Sequence, residues 1–273
     1  MPELPEVETI RRTLAGHITG LEITGVTLYW PGAVRSWESL PFPEIVKESR
    51  IQSLDRRGKY LLIHLDNGYT LVAHMRMTGR LLYYPEGLAP ARHTHVVFKL
   101  TQGELHFNDT RKFGRIQAVP SAECLNISSL SILGPEPLSE EVSPARLGDG
   151  LARKKKNLKA ALLDQTVVAG LGNIYVDEAL FRAGLHPERP ASSLTAAELK
   201  ALRQAIRDVL EAGIQANGTS FRDYRDANGE LGLFQKMLKA YGRGGKPCVH
   251  CGQPLIRKKV AGRTTVFCEH CQH

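Results

Sequence analysis

The sequence predicts an α+β chain of several domains: an antiparallel β-sandwich with a leading helix comes first, helices follow, and a small cysteine-held hairpin ends the molecule. Three observations predict it. From about residue 21 to 119 the chain runs in short alternating segments rich in Val, Ile, Leu, Thr and Tyr, punctuated by Gly, Pro, Asn and Asp. From 153 to 242 that alternation is gone and apolar residues recur at three- and four-residue steps. At the end, four of the five cysteines form C-x2-C-x16-C-x2-C.

In chain order, Leu4, Val7, Ile10, Leu14 and Ile18 lie on one face of a helix over residues 3 to 18. Glu3, Glu6 and Glu8 gather at its start, where carboxylates complement the helix dipole. Strands are expected at Tyr60 to Leu65, Tyr69 to His74, His95 to Leu100 and Glu104 to Phe107, with Asp66-Asn67-Gly68 and Gln102-Gly103 as hairpin turns. Gly134-Pro-Glu-Pro137 and Pro144 break the pattern. The expected organisation is therefore a sandwich domain over 1–133, a linker over 134–152, a helical domain over 153–242 and a cysteine finger over 243–273. In the helical part, Leu158, Ala161 and Leu162 mark one helix, and Ile174, Tyr175, Glu178 and Ala179 another, separated by the turn Gly170-Leu-Gly172. Leu194 to Glu211 supplies a third, with Ser192, Ser193 or Thr195 available as its cap. The polar, glycine-bearing stretch at about 217–237 reads as a long mobile loop.

A length of 273 residues, 42% hydrophobic and 23% charged, excludes disordered, collagenous and coiled-coil classes. No apolar run approaches the roughly eighteen residues of a membrane helix, and the acidic start MPELPEVET is unlike a signal peptide, so an unexported protein is expected. The net charge of +8 is unevenly spread: residues 1–150 carry 16 basic and 17 acidic side chains, residues 151–273 carry 20 and 11. The second half suits a polyanion, and nucleic-acid phosphate is the commonest one.

The cysteine spacing fits one structural Zn2+ held by Cys248, Cys251, Cys268 and Cys271. Two disulfides could use the same residues, but a reducing compartment disfavours them, and a segment of about thirty residues cannot fold on its own core. Cys124 reads as a small buried apolar residue. At the other end, Met1 followed by Pro2 is open to methionine aminopeptidase. Trimming frees a secondary amine; α-amines titrate near about 8, so it would be a nucleophile at neutral pH, able to form an iminium with a sugar C1′.

The string Pro2-Glu-Leu-Pro-Glu-Val-Glu-Thr9 resembles the start of bacterial formamidopyrimidine-DNA glycosylases. Arg56-Arg-Gly-Lys-Tyr60, His74-Met-Arg-Met-Thr-Gly79, Asn108-Asp-Thr-Arg-Lys-Phe-Gly114, Gly170-Leu-Gly-Asn-Ile-Tyr175 and the four-cysteine finger are similar too, in the same order over nearly the whole chain. The resemblance implies a helix-two-turn-helix, zinc-finger enzyme that excises oxidised purines, chiefly 8-oxoguanine and formamidopyrimidines, from double-stranded DNA. It further implies cleavage of the abasic strand by β,δ-elimination, in a monomer of the bacterial cytoplasm, associated with the nucleoid.

The same resemblance distributes roles. Pro2 attacks C1′ and forms the Schiff base, Glu3 moves protons around the sugar and departing base, Glu6 supports them, and Lys59 stands near sugar and phosphates. Met77, Arg111 and Phe113 match the family's inserted triad, which fills the space left by a flipped base. Strand alternation would put Met75 and Met77 on one face, so the motif, not the period, selects Met77. His93, Lys154 and Asn173 match DNA contacts, and Arg263 matches the arginine associated with δ-elimination and phosphate binding. Thr219, Ser220 and Tyr224 fall in the loop that would close over the extruded base. Lys112 departs from relatives that carry a second arginine. Two other readings stand beside this one: a sibling endonuclease preferring oxidised pyrimidines, against which the triad argues, and a non-catalytic zinc-finger DNA-binding protein.

Overall fold

The N-terminal apolar stripe folds as helix α1 (Leu4–Ile18) in the computed structural model, which describes residues 1–37, 40–221 and 223–273. Pro5 sits in its first turn, where a missing N–H breaks no helical bond. The chain divides into two units, Met1–Ser131 with Ala216–Leu233, and Ile132–Gln215 with Phe234–His273.

The first unit continues with β1 (Glu22–Leu28), β2 (Val34–Arg35), α2 (Phe42–Val46), β3 (Ser49–Arg57), β4 (Tyr60–Leu65) and β5 (Tyr69–His74). There follow β6 (Gly79–Tyr84), β7 (Thr94–Leu100), β8 (Glu104–Asp109), β9 (Arg115–Pro120) and the short α3 (Ser128–Ser131). Hydrogen bonding orders the strands β2-β9-β5-β4-β3-β1-β7-β8-β6. The two halves join through a short pairing of β1 with β3, Glu22 opposite Arg50 and Ile23 opposite Ser49. Alternation then decides the interior. Leu61, Ile63, Leu71 and Ala73 from one half meet Leu81, Val96, Phe98 and Phe107 from the other in one core, which Val7, Ile10, Leu14 and Ile18 of α1 complete.

The segment 216–233 differs from the mobile loop expected of its composition. Tyr224 and Ala227 belong to the same core, and Ala227 O accepts from Tyr83 N at 2.9 Å. Its base closes where Leu233 N donates to Ala216 O at 2.8 Å and Gly232 N to Ser220 Oγ at 3.0 Å. Position 222 of this segment lies outside the described residues.

The second unit holds α4 (Pro144–Ala152), α5 (Leu158–Leu163), α6 (Asn173–Ala183), α7 (Ala196–Gln215) and the hairpin β10 (Ile256–Val260) and β11 (Arg263–Phe267). The stretch 134–152, expected as a linker, contains a formed helix. Ser143 Oγ caps α4 by accepting from Arg146 N at 3.1 Å, Pro144 opens it, and Leu147 and Leu151 are buried. Thr195 caps α7: its hydroxyl accepts from Glu198 N at 3.3 Å while Glu198 accepts from Thr195 N at 2.8 Å. No helix among the described residues is long and apolar enough to cross a membrane.

Candidate active site and nucleic-acid interface

Two carboxylates organise the start of α1. Glu6 Oε2 accepts from the Glu3 backbone N–H at 2.8 Å, and Glu6 Oε1 accepts from Thr219 N at 2.7 Å. Pro2, Glu3 and Glu6 are buried, whereas Met1 is 48% exposed. While Met1 is attached the Pro2 nitrogen is an amide without nucleophilic character. The Tyr224 hydroxyl donates to the Glu6 carbonyl at 3.4 Å, and burial, then the nearby Glu6 charge, pushes its phenol pKa up. Gly218 is needed here: its φ is +82° and a Cβ would meet Glu6 Cγ at 2.9 Å. Thr219 and Tyr224 thus bind Glu6 directly, Ser220 Oγ donates to Tyr224 O at 3.0 Å, and all three are buried.

Strand β3 brings Lys59 to this end. Arg11 Nη1 donates to Leu54 O at 3.3 Å and Arg56 Nε donates to Glu8 Oε2 at 3.4 Å, so β3 runs against the direction of α1 and its closing turn, Gly58-Lys59, heads towards the helix start. Lys59 is buried. His74, for which the sequence suggested a motif but no role, packs edge-on against Tyr60 with centroids 4.5 Å apart, and its Nδ1 accepts from Arg76 N at 2.9 Å. Burial first, then the charges of Arg76 and Lys59, hold its pKa down to about 3. It is a neutral imidazole carrying its proton on Nε2.

The three expected intercalating side chains stand on two loops with one anchor. Met77 is 38% and Phe113 51% exposed, while Met75 is 1% exposed. A turn with Arg76 at φ 53° separates the two methionines, so strand alternation does not apply to them. The Arg111 guanidinium lies over the Phe113 ring at 4.8 Å. Beneath them sits Asp109, fully buried. Its Oδ1 accepts from Arg111 N at 3.1 Å and from the Thr78 hydroxyl, and its Oδ2 accepts from Phe113 N at 2.8 Å and Gly114 N at 2.7 Å. One carboxylate therefore fixes both the Met77 turn and the Arg111–Phe113 loop. His93, half-buried, accepts at its carbonyl from Asp109 N at 2.9 Å.

In the second unit, Lys154 Nζ lies 2.9 Å from Asp164 Oδ2 and donates to Thr166 Oγ1 at 2.9 Å. Asn173 opens α6 after Gly172, and its Nδ2 donates to Thr264 O at 2.9 Å. Arg263 is exposed beside the tight hairpin turn Ala261-Gly262, both at positive φ. Glu178, read in the sequence only as a helix position, is buried and caps a backbone stretch: its Oε1 accepts from Ala240 N and Tyr241 N at 2.8 Å each, and its Oε2 from Lys239 N at 2.9 Å.

The sulfurs of Cys248, Cys251, Cys268 and Cys271 all lie within 4.8 Å of one another, with 4.0 Å from Cys248 to Cys271 and 3.5 Å from Cys251 to Cys268. Tetrahedral Zn–S bonds of about 2.3 Å place sulfurs about 3.8 Å apart, so this set fits a zinc ion. All five cysteines are free of disulfides, and Cys124 is buried.

The profile of the formamidopyrimidine-DNA glycosylase N-terminal domain matches residues 1–116, that of its H2TH domain residues 133–225, and a zinc finger found in FPG and IleRS residues 245–273. The formamidopyrimidine-DNA glycosylase of Desulfitobacterium hafniense is 60% identical over 272 residues, covering 100% of both chains. That of Pelotomaculum thermopropionicum is 50% identical over 273 residues, covering 100% of this chain and 99% of its own. The crystal structure of the MutM (FPG) protein from Thermus thermophilus superposes with a TM-score of 0.90 at 44% identity, over 99% of this chain and 98% of that one. A Lactococcus lactis FPG mutant in complex with Fapy-dG-containing DNA gives 0.93 at 36% identity over 100% of both. With each of its three parts matched and whole-length identity this high, the chain belongs to the formamidopyrimidine-DNA glycosylase family.

Proposed function

We propose that the chain, once trimmed of Met1, excises oxidised purines, 8-oxoguanine and formamidopyrimidines, from duplex DNA and cleaves the abasic strand it produces, acting as a monomer in the cytoplasm. The observation that carries this reading is the buried Pro2, Glu3 and Glu6 cluster at the head of α1.

The lone pair of the Pro2 nitrogen forms a bond to C1′; the C1′–N9 bond breaks and its electron pair leaves with the base, which takes up the proton that the attacking nitrogen gives up. Glu3 carries protons at this centre, protonating O4′ as the sugar opens to the iminium. The negative field of Glu6, held by Thr219 N and Glu3 N, favours the cationic iminium. Loss of the C2′ proton then expels the 3′ phosphate, and a second elimination expels the 5′ phosphate, with Lys59 and Arg263 steadying the anions. Met77, Arg111 and Phe113 fill the stack the base has left. Zinc, held by the four cysteines, supplies fold rather than chemistry: it keeps the hairpin that carries Arg263.

Borohydride trapping on a duplex with 8-oxoguanine opposite cytosine tests the reading. A covalent adduct is expected from trimmed protein and is lost in Pro2→Gly. Equal trapping by Pro2→Gly, or activity in protein whose mass retains Met1, would remove the assigned nucleophile. Preference for thymine glycol over 8-oxoguanine would reassign the substrate to oxidised pyrimidines.

A further inference from the structure

Among the described residues strand β11 pairs with β10 alone, so every second residue turns its backbone groups away from β10. A two-residue turn between Val260 and Arg263 makes the pairs Lys259–Thr264 and Arg257–Val266 the ones whose backbone groups point outward. Those groups are taken up by side chains of the helices. Thr264 O accepts from Lys159 Nζ at 3.2 Å and from Asn173 Nδ2 at 2.9 Å, and Val266 N donates to Asp177 Oδ2 at 3.1 Å. Lys159 and Asp177 also bind each other, with Nζ 2.6 Å from Oδ1 and both side chains at 0% exposure.

A buried ion pair is a poor way to gain stability, because desolvating two charges offsets most of their attraction. Its use is geometric. Asp177 stands one helical turn after Asn173 on α6, Lys159 comes from α5, and together they fill the place of a missing third strand beside β11. Arg263 immediately precedes the doubly held Thr264 carbonyl. We propose that Asp177, through its pair with Lys159, is a positioning residue that sets Arg263 at a fixed height and register beside Asn173 for the two phosphates flanking the lesion. This rests on the reading of Arg263 given above and deepens it.

The test uses full-length zinc-loaded protein and an abasic-site duplex, and it reads the ratio of δ- to β-elimination product, the DNA affinity and the melting temperature. Arg263→Gln sets the benchmark. Asp177→Asn, which keeps an acceptor for Val266 but removes the carboxylate charge that faces Lys159, is expected to lower the δ/β ratio and the affinity by about tenfold each. The pair Lys159→Met with Asp177→Leu is expected to melt close to wild type yet keep the low δ/β ratio, since apolar side chains restore packing but cannot grip Thr264 and Val266. Adding Arg263→Gln to that double variant should change the ratio little further, because the two act as one unit. Recovery of the wild-type ratio by the apolar pair, or fully additive effects of Asp177→Asn and Arg263→Gln, would overturn the proposal as a merely structural role. An unchanged ratio and affinity in Arg263→Gln alone would overturn the reading of Arg263, and this inference with it.

Discussion

Replacing Glu178 by Gln removes one oxygen from a carboxylate that holds three consecutive backbone N–H groups. The best placement keeps Oε1 on Ala240 N and Tyr241 N, which turns the new Nε2 towards Lys239 N, donor against donor at the 2.9 Å now spanned by a hydrogen bond. A hydrogen bond to a charged group contributes about 1.5–3 kcal/mol, and the two that survive lose their charge assistance, so roughly 3 kcal/mol of local stability disappears. That corresponds to about a hundredfold easier opening of the 239–241 backbone. Hydrogen exchange followed by mass spectrometry reads it directly: a peptide spanning 239–247 exchanges about a hundredfold faster, while peptides from β4 and β5 keep their protection. Zinc content stays near one per chain at rest, and affinity for lesion DNA falls because the backbone leading into the finger is loosened. Unchanged exchange at 239–241 would show that the three bonds hold nothing, and the reasoning would fail at its first step.

Asp109→Ala leaves Phe113 N, Gly114 N and the Thr78 hydroxyl without their acceptor, and Arg111 N with its longer bond to Thr78 Oγ1, so we expect a loss of about 2–4 kcal/mol in thermal or urea unfolding and at least tenfold weaker binding to lesion DNA. Cys251→Ala, or stripping with a strong chelator, should remove the metal and with it DNA binding; metal analysis beside a mobility-shift assay checks both. Acid stability should fall between pH about 4.5 and about 2 through Glu8. Burial raises its pKa, but hydrogen bonds from Arg11 and Arg12 and the Arg56 charge outweigh this and hold it at about 2, so the folded state keeps a charge the unfolded chain loses; Glu8→Gln should flatten that part of a denaturation-versus-pH curve. His74 adds a second loss as pH falls from 6.5 towards about 3, where the unfolded chain binds a proton that the fold refuses, and the slope in this range should shrink in His74→Gln.

The parts legible in the sequence are those whose signal is local. The α1 stripe, the strands at Tyr60 to Leu65, Tyr69 to His74, His95 to Leu100 and Glu104 to Phe107, the helix start at Asn173 and each C-x2-C pair are set by residues within a few positions of one another. The missed features have distant partners. Glu6 meets Thr219 across 213 positions and Lys159 meets Thr264 across 105, and a sequence shows a charged residue without showing what buries it. Helix α4 is hidden by composition, since Gly134-Pro-Glu-Pro137 and Pro144 read as punctuation, although Ser143 followed by Pro144 is a helix-start signal. Asp109 has a local signal as well: an aspartate two to five residues before the amides it binds is a turn-forming pattern.

The first unit draws on two stretches of chain with the whole of 132–215 threaded between them. During synthesis, then, the amino end emerges long before Thr219 leaves the ribosome, so for most of translation Glu6 waits for the backbone N–H that clasps its Oε1 in the finished fold. A polypeptide ending near residue 131 lacks Thr219 altogether, and with it the amide that fixes Glu6 Oε1 in the full chain.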